Sequence, residues 1–132
     1  MSLGRILVVD DEADIRRAVR LTLTKAGYDV LLAKNGAEAI KHIQSNDNPF
    51  KVSLIICDIH MPKVSGMEAI AYFRQEFPSV PVVVLTGDPE LAGATQLFKL
   101  GIIDYVAKPV TPEKLIQVVH KSVRDHVYKG PF

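Results

Sequence analysis

The sequence is poor in cysteine, in net charge and in long apolar runs, and each shortage removes a class of function. One cysteine forms no internal disulfide and leaves no multi-cysteine zinc site. Sixteen Lys and Arg against fifteen Asp and Glu give a net charge of +1, so no field draws nucleic acid or a membrane surface as the default partner. No apolar run reaches the length of a transmembrane span, and no secretory leader is evident, which makes the cytoplasm the expected location. Neither G-x-x-x-x-G-K-[ST] nor G-x-G-x-x-G follows the first apolar run, so the common nucleotide-binding loops are missing. What is present, 132 residues with 48% hydrophobic and 23% charged, fits one soluble domain around one core.

Apolar runs and helical periodicities alternate along this chain. RILVVD (5–10), DVLLA (29–33), LIICD (54–58), PVVVLT (81–86) and DYVAK (104–108) read as strands, apolar runs of which the fourth is the richest in β-branched residues, as expected for strands buried on both faces. Ile15, Ala18, Val19, Thr22 and Ala26 recur at helical spacing and Gly27 closes that helix. Asn35 with Glu38 predicts an N-cap for a helix to about Ser45, and Ser65 with Glu68 a capping box for the helix carrying Met67, Ile70 and Phe73. Asp88-Pro89 and Thr111-Pro112 repeat a cap-then-proline signal, before helices carrying Ala94, Leu97 and Phe98, and Leu115, Val118, Val119, Ser122 and Val123. SNDNPFKVS (45–53) reads as a loop. Five β-α units in succession predict an α/β fold, a parallel sheet with helices on both faces.

In such a sheet ligands bind beyond the carboxyl ends of the strands. The first strand ends in Asp10-Asp11, the third in Asp58, the fourth in Thr86 and the fifth in Lys108-Pro109. If these ends share an edge, three carboxylates, a hydroxyl and an ammonium meet. Carboxylates so close repel, and a hard divalent cation such as Mg²⁺ relieves them with oxygen ligands. A metal and a lysine facing an exposed carboxylate suit phosphoryl transfer, with that carboxylate as nucleophile. Cys57, inside an apolar strand, reads as an inert buried thiol.

The set resembles the receiver (response regulator) domain of two-component signalling, from about residue 5 to about 125. The residues that carry the likeness are the acidic pair in VVDDE, the aspartate in ICDIHMPKVSG, the hydroxyl in VVVLTG and the lysine in DYVAKP. Each motif alone is common; all four in order, each at a strand end, are distinctive. The resemblance implies a flavodoxin-like (βα)5 fold with strand order 2-1-3-4-5. It implies that Asp58 is the phosphoacceptor, that Asp11, Asp58 and the backbone carbonyl of His60 ligate Mg²⁺, and that Asp10 helps mainly through water. Lys108 and Thr86 would hold phosphoryl oxygens, Tyr105 would be the switch aromatic, and the Lys108-Pro109 bond would be cis. Gly87 is small, as access to the site requires. His60 and Asp88 flank the path of an attacking water and are expected to tune the lifetime of the aspartyl phosphate.

The implied partners are a histidine kinase or histidine phosphotransfer protein upstream and a protein or effector domain downstream, with no direct binding of nucleic acid or membrane. A homodimer is compatible with this reading. Residues 126–132 read as a short tail, with no effector domain in this chain. Gly101-Ile102-Ile103-Asp104 and the long 45–53 loop depart from the family pattern away from the site; Ile102 and Ile103 are either core or a contact patch. Two rivals differ in class. An Mg²⁺-dependent phosphatase or phosphotransferase usually adds a cap or a second catalytic aspartate soon after the nucleophile, whereas this chain has His60 there and no cap-sized insertion. A receiver-like module that is never phosphorylated would lack an acidic residue or the lysine.

Overall fold

The computed structural model describes residues 2–59, 66–87 and 99–128, and side chains as far as Arg124. Five parallel strands form one sheet in the order β2-β1-β3-β4-β5, with β1 at Arg5–Val9, β2 at Asp29–Ala33, β3 at Val52–Asp58, β4 at Val82–Thr86 and β5 at Asp104–Ala107. The helices are α1 (Ala13–Lys25), α2 (Gly36–Gln44), α3 (Asn48–Lys51), α4 (Gly66–Glu76) and α5 (Pro112–Tyr128), and residues 99–100 are also helical. The predicted fold and strand order are those observed.

The sheet has a core on each face because its middle strands are apolar over consecutive positions, Ile6 to Val9, Leu54 to Cys57 and Val82 to Leu85. Leu7, Val9, Ile55, Cys57, Val82 and Val84 point to one side and pack with Ala39, Ile43, Ala69, Ile70 and Phe73 of α2 and α4. Ile6, Val8, Leu54, Ile56, Val83 and Leu85 point to the other and pack with Val19, Leu23, Leu115, Val118 and Val119 of α1 and α5. Alternation along each strand thus feeds two cores.

Local signals fix the ends. α1 closes at Gly27, whose φ of 103° is the left-handed conformation that glycine adopts without steric cost. Asn35 Oδ1 accepts the Glu38 N–H at 2.8 Å, and Glu38 Oε1 accepts from Lys34 N–H at 3.2 Å, so the predicted cap forms with its return bond one residue early. Thr111 Oγ1 accepts from Lys114 N–H at 3.4 Å. Ser65, the Asp88-Pro89 cap and the helix of Ala94, Leu97 and Phe98 lie outside the described residues.

Two expectations are corrected. The stretch 45–53 is not all loop: Asn48–Lys51 form the single-turn α3, and β3 starts at Val52. Tertiary partners cause this. Arg5 Nη1 donates to Asp47 Oδ1 (2.7 Å) and Asn48 Oδ1 (2.9 Å), and Asn48 Nδ2 donates to the His42 carbonyl (2.7 Å). Likewise α5 continues to Tyr128, into the segment read as tail. The two isoleucines divide the alternatives: Ile102 is buried in the core and Ile103 is exposed.

Candidate functional site

Four of the five strand ends, those of β1, β3, β4 and β5, deliver a group to the same sheet edge. Asp10 follows β1 and Asp58 ends β3; both are buried, at 0% and 2% exposure. Thr86 ends β4, also buried, and its carbonyl accepts the Lys108 N–H at 2.7 Å, which brings the turn after β5 against β4. The Lys108-Pro109 peptide bond is cis, as the resemblance implied.

The lysine is the centre of the cluster. Its Nζ lies 2.9 Å from Asp10 Oδ2, 3.0 Å from Glu12 Oε1 and 3.3 Å from Asp58 Oδ2. Burial alone would lower the Lys108 pKa; the close ion-pair contact with Asp10, the hydrogen bond to Glu12 and the charges of Asp10 and Asp58 overcome it and raise it. Desolvation raises the Asp10 pKa, helped by the Asp58 charge and opposed by the Glu12 N–H and Lys108.

Backbone bonds hold the cluster in place. Asp10 Oδ1 accepts the Glu12 N–H at 2.8 Å, closing a turn before α1, and Arg16 Nη1 donates to the Asp10 carbonyl at 2.7 Å. Behind Asp58, Gly66 opens α4 so closely that a Cβ there would fall 2.2 Å from the Asp58 carbonyl oxygen and 2.3 Å from Ile59 Cα. Cys57 is fully buried, and desolvation, with the Asp58 and Asp10 charges, pushes its thiol pKa far up, so it is inert as expected.

Asp10, Asp11, Glu12 and Asp58 each place a carboxylate oxygen within 4.8 Å of the others. One ammonium cannot neutralise four carboxylates. Asp10 Oδ2 is buried and, although Lys108 is near, accepts no aligned hydrogen bond. Four hard oxygens with an unfilled acceptor fit a divalent cation such as Mg²⁺.

Five of the ten predicted site residues therefore converge: Asp10, Asp11, Asp58, Thr86 and Lys108. Gly87 follows Thr86, and a Cβ there would meet no described atom within 4 Å. Tyr105 is half-buried against the core on the α2–α4 face. Tyr105 and Pro109, with Asp104, Ala107, Thr111 and Lys114, line a cavity of about 390 Å³ beside β5. His60 and Asp88 lie outside the described residues. Glu12 is the residue that sequence reasoning missed. Its only signal was its place after the acidic pair in VVDDE.

The family model described as response regulator receiver domain matches residues 6–120. The transcriptional regulatory protein ResD of Bacillus subtilis is 37% identical over 121 residues, which are 91% of this chain and 48% of that protein; the chain spans about half or less of the length of the curated relatives it matches. A response regulator receiver domain protein from Clostridium thermocellum superposes with a TM-score of 0.84 at 31% identity, covering 93% of this chain and 96% of that one. A CheY-like receiver domain protein from Methanospirillum hungatei superposes with a TM-score of 0.88 at 26% identity over 98% and 100% of the two chains. With the strand order and the acidic edge already in place, these matches assign the chain to the response regulator receiver domain family of two-component systems.

Proposed function

We propose that this receiver takes a phosphoryl group onto Asp58 from a phosphohistidine and uses it to switch a protein contact. The observation that carries the reading is the position of Lys108, within 3.3 Å of carboxylates from residues 10, 12 and 58. An ammonium fixed beside a buried carboxylate supports the arrival of an anion there. Asp58 Oδ would attack phosphorus, an O–P bond forming as the N–P bond of phosphohistidine breaks and its electron pair returns to the imidazole.

Asp10, Asp11 and Asp58, with the His60 carbonyl, would hold Mg²⁺, which when bound offsets charge on the phosphoryl oxygens. Lys108 would pair with one phosphoryl oxygen and the Thr86 hydroxyl would donate to another. The half-buried Tyr105, one strand away, would turn inward as Thr86 moves, shifting the population toward a state with a different partner surface. His60 and Asp88 would set how long the modification lasts.

The domain would span residues 5–125, in the cytoplasm. A histidine kinase or histidine phosphotransfer protein would act upstream, and a protein or effector domain downstream, with no nucleic acid or membrane bound by this chain and a homodimer compatible with the switch. Its task would be switching rather than turnover.

Intact-mass measurement with Mg²⁺ and acetyl phosphate tests this. One added phosphoryl group on the wild type, absent from Asp58→Ala and abolished by EDTA, is the expected result. Failure to gain the adduct, together with failure to bind beryllofluoride, would leave the unphosphorylated interaction module as the better description.

A further inference from the structure

Lys108 has a third carboxylate partner to which the phosphoacceptor reading gives no role. Asp10 and Asp58 are buried and sit at strand ends, whereas Glu12 lies between β1 and α1 with its side chain 59% exposed. Its backbone N–H is pinned by Asp10 Oδ1, yet its side chain makes no capping bond to α1. The carboxylate is therefore free to swing about a fixed backbone, and Lys108 is its ion-pair partner at 3.0 Å. Exposed ion pairs are worth little, so of the three contacts to Lys108 this one breaks at least cost.

We propose that Glu12 gates Lys108: it occupies the ammonium while Asp58 is unmodified and must leave when an anion arrives on Asp58. The proposal rests on the phosphoacceptor reading of the same site. An incoming tetrahedral anion needs Lys108 as a donor and meets a fourth negative charge at the mouth of the site. Glu12 opposes it twice, by holding its donor and by repelling it. Lys108 cannot shed Asp10 as readily, because Asp10 would then be a buried carboxylate without its cation. Glu12 instead exchanges the lysine for water.

Glu12→Gln removes the charge and keeps the shape at an exposed position. Beryllofluoride, a tetrahedral phosphoryl mimic, is titrated into wild type and variant, each saturated with Mg²⁺ as fixed by a separate Mg²⁺ titration. Amide NMR shifts of residues 104–108 report binding. The variant is expected to bind about two- to fivefold more tightly, the scale of one exposed ion pair, and the gap is expected to close as salt rises. Equal affinity in the two proteins, with the wild type binding, overturns the gate and leaves the phosphoacceptor reading standing. Weaker binding by the variant at saturating Mg²⁺ also overturns it and makes Glu12 a supporting residue of the occupied site. No binding by the wild type overturns the gate together with the reading beneath it.

Discussion

Asp10 shows what the site costs the fold. Its carboxyl is held above its ordinary value of 3.8, first by desolvation and also by Asp58. A carboxyl with a raised folded pKa favours folding while protonated. That contribution is full below 3.8 and is lost as pH rises through the folded value. At neutral pH the buried charge therefore opposes folding, and Lys108 with the Glu12 N–H offsets only part of it. Asp10→Asn is expected to stabilise the metal-free protein by on the order of 1 kcal/mol, a rise of about 4 °C in Tm, since Lys108 keeps Asp58 and Glu12 as partners. The gain should be present at pH 7.5 in EDTA and vanish as pH approaches 4. Thermal melts at both pH values check it, and an unchanged Tm at pH 7.5 would show that Lys108 fully compensates Asp10. Asp10, Asp58 and Lys108 were legible in the sequence because each charge interrupts an apolar strand at its end. Glu12 was not, because a glutamate opening a helix is ordinary until residue 108 is known to reach it.

At the scale of elements, the approach of α4 to the end of β3 is set by the absence of one side chain. A Cβ on Gly66 would overlap backbone atoms, the Asp58 carbonyl oxygen and Ile59 Cα, and backbone cannot rotate aside as a side chain can. Gly66→Ala is expected to destabilise by about 2 kcal/mol, the range of overpacking, and to weaken beryllofluoride binding by moving Asp58. Gly87→Ala, where no described atom lies within 4 Å, should stay within about 0.5 kcal/mol of wild type. Urea unfolding of both variants compares them; equal losses would show that crowding at Gly66 is relieved by a helix shift. The periodicities that announce β1, α1, β2, α2, β4, β5 and α5 were plain in the sequence. The α3 turn was hidden: Asn, Asp and Pro look like loop punctuation, and the contacts that order them come from Arg5 and His42. The first residues of β3 escaped for a related reason. Val52 pairs with Arg5 across a register shift between Arg5 and Ile6, and no local pattern encodes that.

For the whole molecule, the site exists only when the sheet is complete. Lys108, after the edge strand β5, contacts residues 50 and 96 positions away, at the ends of the inner strands β3 and β1. A cation bound there stabilises the global fold rather than a local loop. Mg²⁺ at ten times its Kd should contribute about 1.4 kcal/mol and slow the slowest-exchanging amides of β1, β3 and β4 about tenfold. Hydrogen exchange with and without Mg²⁺ reads this directly, and protection confined to residues 10–12 would show that the site opens independently of the sheet. Strand order itself was read by resemblance, since alternating β and α units specify a parallel sheet but leave the sequence of neighbours open.

The spread of the site along the chain also constrains its heredity. Residues 10, 58 and 108 travel on separate stretches of coding sequence, so a crossover between the first and last of them joins parts of two parental sites. Such a chimera keeps the constellation only where both parents share the β1–β3–β4–β5 register to the residue. Recombination can therefore exchange what surrounds this domain far more freely than what lies within it.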